Sequence, residues 1–182
     1  MKKILPILIV VMVLLSCSMC FAAKKTYVLF VAPSKFTTDE FLEIATKNLS
    51  SDYIVSKKLQ GYWSQYCWNM NLEENDQRIN KEILADFISR TNLDKILFVV
   101  FKDSKAELVD LGGVFVLWSY IKNYTNRTHI KSRVIMMNRE GEALKIFETE
   151  SVNDSPHTER RANRGAFRIL CKNIAKSLNL KQ

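Results

Sequence analysis

The sequence predicts an α/β (α+β) fold: a single domain with a mixed sheet and three helices, in the order β-α-β-α-β-β-β-β-α. Three observations carry this expectation. Residues 95–101 (Lys-Ile-Leu-Phe-Val-Val-Phe) form a short unbroken apolar run, with Asn92 and Asp94 before it and Lys102-Asp103-Ser104 after it. That is the pattern of a strand buried on both faces. Residues 27–32 (Tyr-Val-Leu-Phe-Val-Ala) repeat it and end at Pro33-Ser34. Residues 129–137 alternate instead, with Ile130, Val134 and Met136 on one side and Lys131 and Arg133 on the other. Alternation marks an antiparallel strand with one wet face, so the sheet is expected to be mixed.

The amino-terminal segment belongs to another category. Met1-Lys2-Lys3 is a basic start, Ile4 to Leu15 is apolar throughout, and Ser16 to Ala23 supplies small residues. The apolar stretch falls short of the roughly 20 residues that span a bilayer. Residues 1–23 therefore read as a bacterial-type export signal, with the folded domain at 24–182. Cys20-Phe21-Ala22 before Ala23 fits ordinary cleavage, while Leu14-Leu15-Ser16-Cys17 resembles a lipobox that would make Cys17 a lipidated first residue. Both readings stay open. The expected location is the periplasm or cell envelope, with any membrane attachment made through that lipid.

Taken in order, the first predicted strand is followed by a helix opened by Thr37 and Glu40 as a capping box, with Phe41, Leu42, Ala45 and Leu49 on its apolar face. Residues 53–56 are a short strand. Residues 61–70 (Gly-Tyr-Trp-Ser-Gln-Tyr-Cys-Trp-Asn-Met) concentrate aromatic rings. Tyr62, Trp63 and Trp68 are either a platform for a sugar, peptide or partner, or a flap burying its rings over the sheet. A second helix runs to about Arg90, carrying Ile79, Ile83, Leu84, Phe87 and Ile88 at helical spacing. After residues 95–101, the run Val114 to Ile121 reads as a fourth strand, bent at Gly112-Gly113. Residues 129–137 then turn through Asn138-Arg139-Glu140-Gly141-Glu142 into a returning strand holding Leu144, Ile146 and Phe147.

Ser155 and Pro156 are placed to open the last helix. Its apolar stripe is Ala162, Ala166, Leu170, Ile174 and Leu178, and its basic stripe is Arg164, Arg168, Lys172 and Lys176, with Arg160 and Arg161 leading in. The two-residue offset is about 200° of helix rotation, so one side docks and the other is exposed. The chain holds 182 residues, 47% hydrophobic and 25% charged, enough for one core, and its formal charge of +8 suits an anionic envelope surface or an acidic protein face. Nucleic acid is not expected, because the chain is exported and lacks RNA-binding and zinc-finger signatures.

No cofactor or metal is expected. His129 and His157 are not at ligand spacing, and the chain beyond the leader has no Cys-x-x-Cys or aspartate-rich loop. No nucleophile motif appears either, so the chain is not expected to be an enzyme. Cys67 and Cys171 either pair in an oxidising compartment or are buried as small hydrophobes, and spacing does not decide.

Three stretches carry a resemblance. Thr91-Asn-Leu-Asp94-Lys-Ile-Leu-Phe-Val-Val places an Asp before the central strand. Ser132-Arg-Val-Ile-Met-Met-Asn-Arg-Glu-Gly141-Glu is a glycine-turned hairpin. Glu159-Arg-Arg-Ala162-Asn-Arg-Gly-Ala166 opens a closing helix with alanines facing the sheet. Together with the element order, these resemble the amino-terminal domain of TolB and the related domains of the curli-secretion lipoprotein and of lipoprotein activators of penicillin-binding proteins. The resemblance implies a non-catalytic adaptor or assembly factor that binds another envelope component. Its contact face would be Arg161, Arg164, Arg168, Lys172 and Lys176, or Tyr62, Trp63 and Trp68. The alternative is a small-ligand or glycan binder built on residues 62–68. The aromatic segment, and the lack of a following propeller, depart from the family pattern.

Overall fold

A computed structural model describes residues 25–117 and 119–179. Its sheet has five strands in the order β2-β1-β3-β4-β5: β1 (Thr26–Val31), β2 (Tyr53–Val55), β3 (Lys95–Val116), β4 (Ser119–Asn138) and β5 (Ala143–Ser155). β2, β1 and β3 are parallel, whereas β3, β4 and β5 form an antiparallel meander. Four α-helices accompany them among the described residues: α1 (Asp39–Asn48), α2 (Lys57–Asn69), α3 (Lys81–Ser89) and α4 (Glu159–Asn179). The fold is the mixed α+β sheet expected, in one domain.

Two apolar cores sandwich the parallel strands. On one face α1 and α4 meet Val28, Phe30, Leu97, Val99 and Phe101, with Ile130 and Val134 from β4. Phe167 of α4 lies 5.2 Å from Phe30 and 5.1 Å from Phe41, centroid to centroid, so rings knit helix to sheet. On the other face α2 and α3 cover Leu29, Val31, Ile96 and Phe98. Side chains alternate along a strand, so a continuous apolar run fills both cores at once. Residues 95–101 do this. On α4 the apolar stripe Ala162, Ala166, Leu170, Ile174 and Leu178 is buried, as its four-residue spacing predicts.

Residues 57–69 are a helix, where the sequence was read as a flap or platform. Leu59, Trp63, Tyr66 and Cys67 recur at helical spacing and are all buried, while Gly61 is tolerated on the exposed side. Ser56 caps it by accepting from the Leu59 N–H at 3.3 Å. The helix count is therefore four rather than three. The strand count is five rather than six, because residues 114–121 and 129–137 are parts of one long hairpin. The Thr37–Glu40 capping box does not form. Thr37 Oγ1 donates to the Ser34 carbonyl instead, and Glu40 is engaged by Arg160 and Arg164. Ser155 is the last residue of β5, still paired with Asn126, so α4 starts later, at Glu159.

One buried polar side chain completes the sheet. β2 is too short to cover β1 beyond Val28, which leaves the Phe30 backbone without a strand neighbour on that side. Gln60 of α2 takes its place. Its amide donates to the Phe30 carbonyl at 2.8 Å and accepts from the Phe30 N–H at 3.3 Å. Buried backbone groups have to be satisfied somewhere, and here a side-chain amide imitates a peptide unit.

Cys67 and Cys171 are free and buried, one in each core, with the sheet between them. They do not form the disulfide that the sequence left open. Burial, with Glu74 and Asp76 adding to it for Cys67, pushes both thiols up to about 12. They are protonated at neutral pH and poor nucleophiles.

Two outcomes are expected. Gln60→Leu leaves two buried backbone groups unpaired and lowers unfolding free energy by roughly 2–3 kcal/mol in urea titration; an unchanged midpoint would contradict the pairing. Iodoacetamide at neutral pH should leave Cys67 and Cys171 unmodified in the folded protein and label both in urea. Labelling of either in the native state would place it nearer the surface than described.

Candidate functional site

β3 and β4 outrun the rest of the sheet. β1 pairs with β3 only as far as Val100, and β5 pairs with β4 only from Asn126 onward. Beyond those points, among the described residues, the two strands are paired only with each other, Val109 with Thr125 and on to Val116 with Ser119. At about 3.3 Å per residue this free arm extends about 30 Å from the body. β1 runs parallel to the start of β3, so the arm lies at the end of the sheet opposite Lys25.

The root of the arm is fixed by polar contacts. Arg127 donates two hydrogen bonds to the Asp154 carboxylate of β5, at 2.8 and 2.9 Å. That pair holds the Asp154 carboxyl below its ordinary range and raises the guanidinium further. Thr128 Oγ1 donates to buried Asn163 of α4 at 2.8 Å. Gly165 permits the close approach there, since a Cβ would meet the Asn153 side chain at 2.2 Å.

Further out, the ladder shifts register between Asp110 and Gly113. Gly112 takes φ +80°, and its N–H donates to Asp110 Oδ1 at 2.8 Å. At Gly113 a Cβ would stand 2.5 Å from the Ile121 carbonyl and 2.6 Å from the Tyr120 ring. The tyrosine covers the space that glycine leaves, an aromatic over a strand glycine. The Gly112-Gly113 bend was expected, but as the start of a strand, not as a bulge within one.

The tip is apolar on both faces. Phe115 pairs with Tyr120, with ring centroids 5.3 Å apart, and Val114 pairs with Ile121 on the other face. Phe115 is 78% exposed and Leu117 is 90% exposed; Leu108, Leu111, Val114 and Ile121 are exposed as well. Leu117 sits at the turn with φ +46°. Two-residue hairpin turns favour Asn or Gly at such angles, because a side chain there strains the backbone. Here the strained position carries an exposed leucine. Strain of this kind clusters where structure is kept for function.

The residues singled out from the sequence are dispersed. Trp63 is fully buried, its indole N–H donating to the Glu74 carbonyl at 3.0 Å, so it is core and offers no contact surface. Tyr62 is half-exposed and Trp68 is 83% exposed. Six positions separate them, about 120° around the helix, so they form no shared platform. Tyr62 borders a groove of about 710 Å³ between α2 and α3, with Tyr27, Tyr66, Phe87, Arg90 and Lys58 around it. Tyr66 donates to Asp86 at 2.7 Å, and burial together with that bond pushes its phenol up to about 12. The groove opens at the amino ends of β1 and β3, away from the carboxyl ends where sheets of this kind usually bind ligands.

On α4, Arg161, Arg168, Lys172 and Lys176 are exposed without a carboxylate at ion-pair distance among the described residues. Arg164 differs. With Arg160 it grips Glu40, at 2.8 and 2.6 Å, and so ties α4 to α1. Cys17 lies outside the described residues. Among those described, no three His, Cys, Asp or Glu side chains gather as a metal set, and no helix is long and apolar enough to cross a membrane.

The arm escaped the sequence reading because its turn lacks turn residues. Leu117 at the turn is none of the Asn, Gly or Asp that usually announce a hairpin. The available signal was the absence of charge from Leu111 to Ile121.

No family model and no curated protein matches the chain. Among solved structures it is similar to lipoprotein GNA1162 from Neisseria meningitidis, at 13% identity and TM-score 0.45, over 86% of this chain and 99% of that one. It is also similar to a minor lipoprotein from Acinetobacter baumannii, at 10% identity and TM-score 0.37, over 85% and 92% of the two chains.

Proposed function

We propose that this protein is an exported, non-catalytic adaptor of the bacterial cell envelope and that it engages another envelope component through the tip of the β3–β4 arm. The observation that carries the reading is the exposure of Phe115, Leu117, Val114 and Ile121 on a hairpin that no other element covers among the described residues. An isolated two-stranded ribbon is marginal in water, and a contiguous exposed apolar patch marks a contact site. The basic-start leader supports export, and the resemblance to TolB-type domains agrees with binding in place of chemistry. The side-chain chemistry agrees as well. Burial raises Cys67, Cys171 and Tyr66, and hydrogen bonds lower Asp76, Asp86 and Asp154, all away from neutrality. Acid–base catalysts are tuned the other way.

This reading moves the contact face from α4 and residues 62–68 to the arm. A small-ligand reading keeps one specific support, the Tyr62-bordered groove in which the Lys58 ammonium lies 5.6 Å from the Tyr62 ring centroid. Binding of the purified protein to isolated envelope fragments separates these cases. Phe115→Ser should abolish most of it, while Tyr62→Ala and a Lys172→Glu, Lys176→Glu variant should retain it. Loss with the α4 variant and retention with Phe115→Ser would return the contact face to the helix.

A further inference from the structure

We infer that the component met by the arm is a lipid surface, with Val114 to Leu117 and Ser119 to Ile121 seated in the interfacial layer of an anionic bilayer. This rests on the adaptor reading above and names its partner. A protein groove or a sheet edge requires one apolar face of a ribbon. This tip is apolar on both faces and at its apex: Val114 and Ile121 on one side, Phe115 and Tyr120 on the other, and Leu117 at the turn. Ser119, opposite Val116, is small and uncharged, and an element with apolar side chains on both faces is matched to a medium that surrounds it. The sequence from Leu111 to Ile121 has no charged residue, and Lys122 is the first charge after it. Tyrosines 120 and 124, both on strand β4, suit the headgroup level, where rings with one wet end concentrate.

Charge is complementary to an anionic surface. The arm itself is balanced, Lys102, Lys105 and Lys122 against Asp103, Glu107 and Asp110. The complementarity comes from the chain as a whole, which carries +8, two of those charges being Lys2 and Lys3 of the leader. A body of net positive charge behind an apolar anchor draws it to anionic lipid.

The same backbone limits the depth. Both edges of the arm are open beyond Val100 and Asn126, and open edges are not tolerated in the hydrocarbon core. A single arm therefore dips to the headgroup and upper acyl region and does not span. The turn supports this assignment independently. Asparagine at position 117 would relieve the left-handed backbone, yet the chain places leucine there, which adds apolar surface at the apex.

The test is flotation of purified protein with vesicles of phosphatidylcholine alone or mixed with phosphatidylglycerol. The bound fraction should rise with phosphatidylglycerol and fall with salt. Phe115→Ser and Leu117→Asn should each reduce it about tenfold or more, as loss of one buried large apolar side chain implies. Trp68→Ser, which removes an exposed ring on α2 and leaves the tip intact, should leave it unchanged. Leu117→Asn is expected to fold at least as well as the parent, so its loss of binding cannot be put down to unfolding. A parent protein that stays unbound at every composition overturns the lipid assignment. If the tip variants then still lose envelope fragments, a protein partner holds the tip and the adaptor reading stands. If Leu117→Asn instead dissolves an oligomer in sedimentation equilibrium, the occupant is a second copy and the lipid assignment falls. If the tip variants lose neither vesicles nor fragments, both readings fall.

Discussion

The burial of β3 on both faces between Ile96 and Val100 is the constraint on which the rest depends. A strand with apolar side chains on both sides requires two covers. The chain supplies α1 and α4 on one face and α2 and α3 on the other. β1 is buried alongside it, and the short β2 edge makes Gln60 necessary to finish the backbone pairing at Phe30. The parallel part of the molecule thus follows from one hydrophobic segment and its neighbour. Dispersion between the Phe30, Phe36, Phe41, Phe101 and Phe167 rings then fixes how α1 and α4 lie against it.

The same strand leaves the core after Phe101 and changes character. Its covers end, its register shifts at Lys102, and charged residues appear on both sides. Past Asp110 the charge disappears again without any cover returning. An apolar segment inside the sheet is explained by packing, but for an apolar segment 30 Å outside it, about nine residues at strand rise, the described residues supply no cover. Arg127 with Asp154, and Thr128 with Asn163, keep the root of that segment stiff. The molecule is a packed body holding a hairpin out, with the apolar residues at the far end.

Much of the body was legible in the sequence. Lys95 to Phe101 could be read as a doubly buried strand because an unbroken run of Val, Ile, Leu and Phe leaves no polar face. The four-residue spacing of Ala162 to Leu178 gave the inner side of α4, and Asn138 with Gly141 gave the turn before β5, where Gly141 does take φ +78°. Helix α2 was obscured because Gly61 and a density of rings suggested a loop, although Leu59, Trp63 and Cys67 keep the four-residue spacing. The arm was least legible. Alternation predicts which residues share a face, but it says nothing about whether a neighbour is present, and Leu117 hides a turn that strain would ordinarily forbid. The split of the aromatic segment, Trp63 inward and Trp68 outward, required the helix to be recognised first. The basic stripe was correctly placed outside, yet the grip of Arg164 on Glu40 depended on where α1 lies.

The claim that β3 is one strand with a sealed half and an open half is tested most directly by amide hydrogen exchange resolved along β3. The account predicts that amides from Ile96 to Val100 exchange only with global unfolding, while those from Leu108 to Val116 exchange orders of magnitude faster in the isolated protein. Equal protection along the whole strand would contradict it, because the arm would then be covered in the free protein.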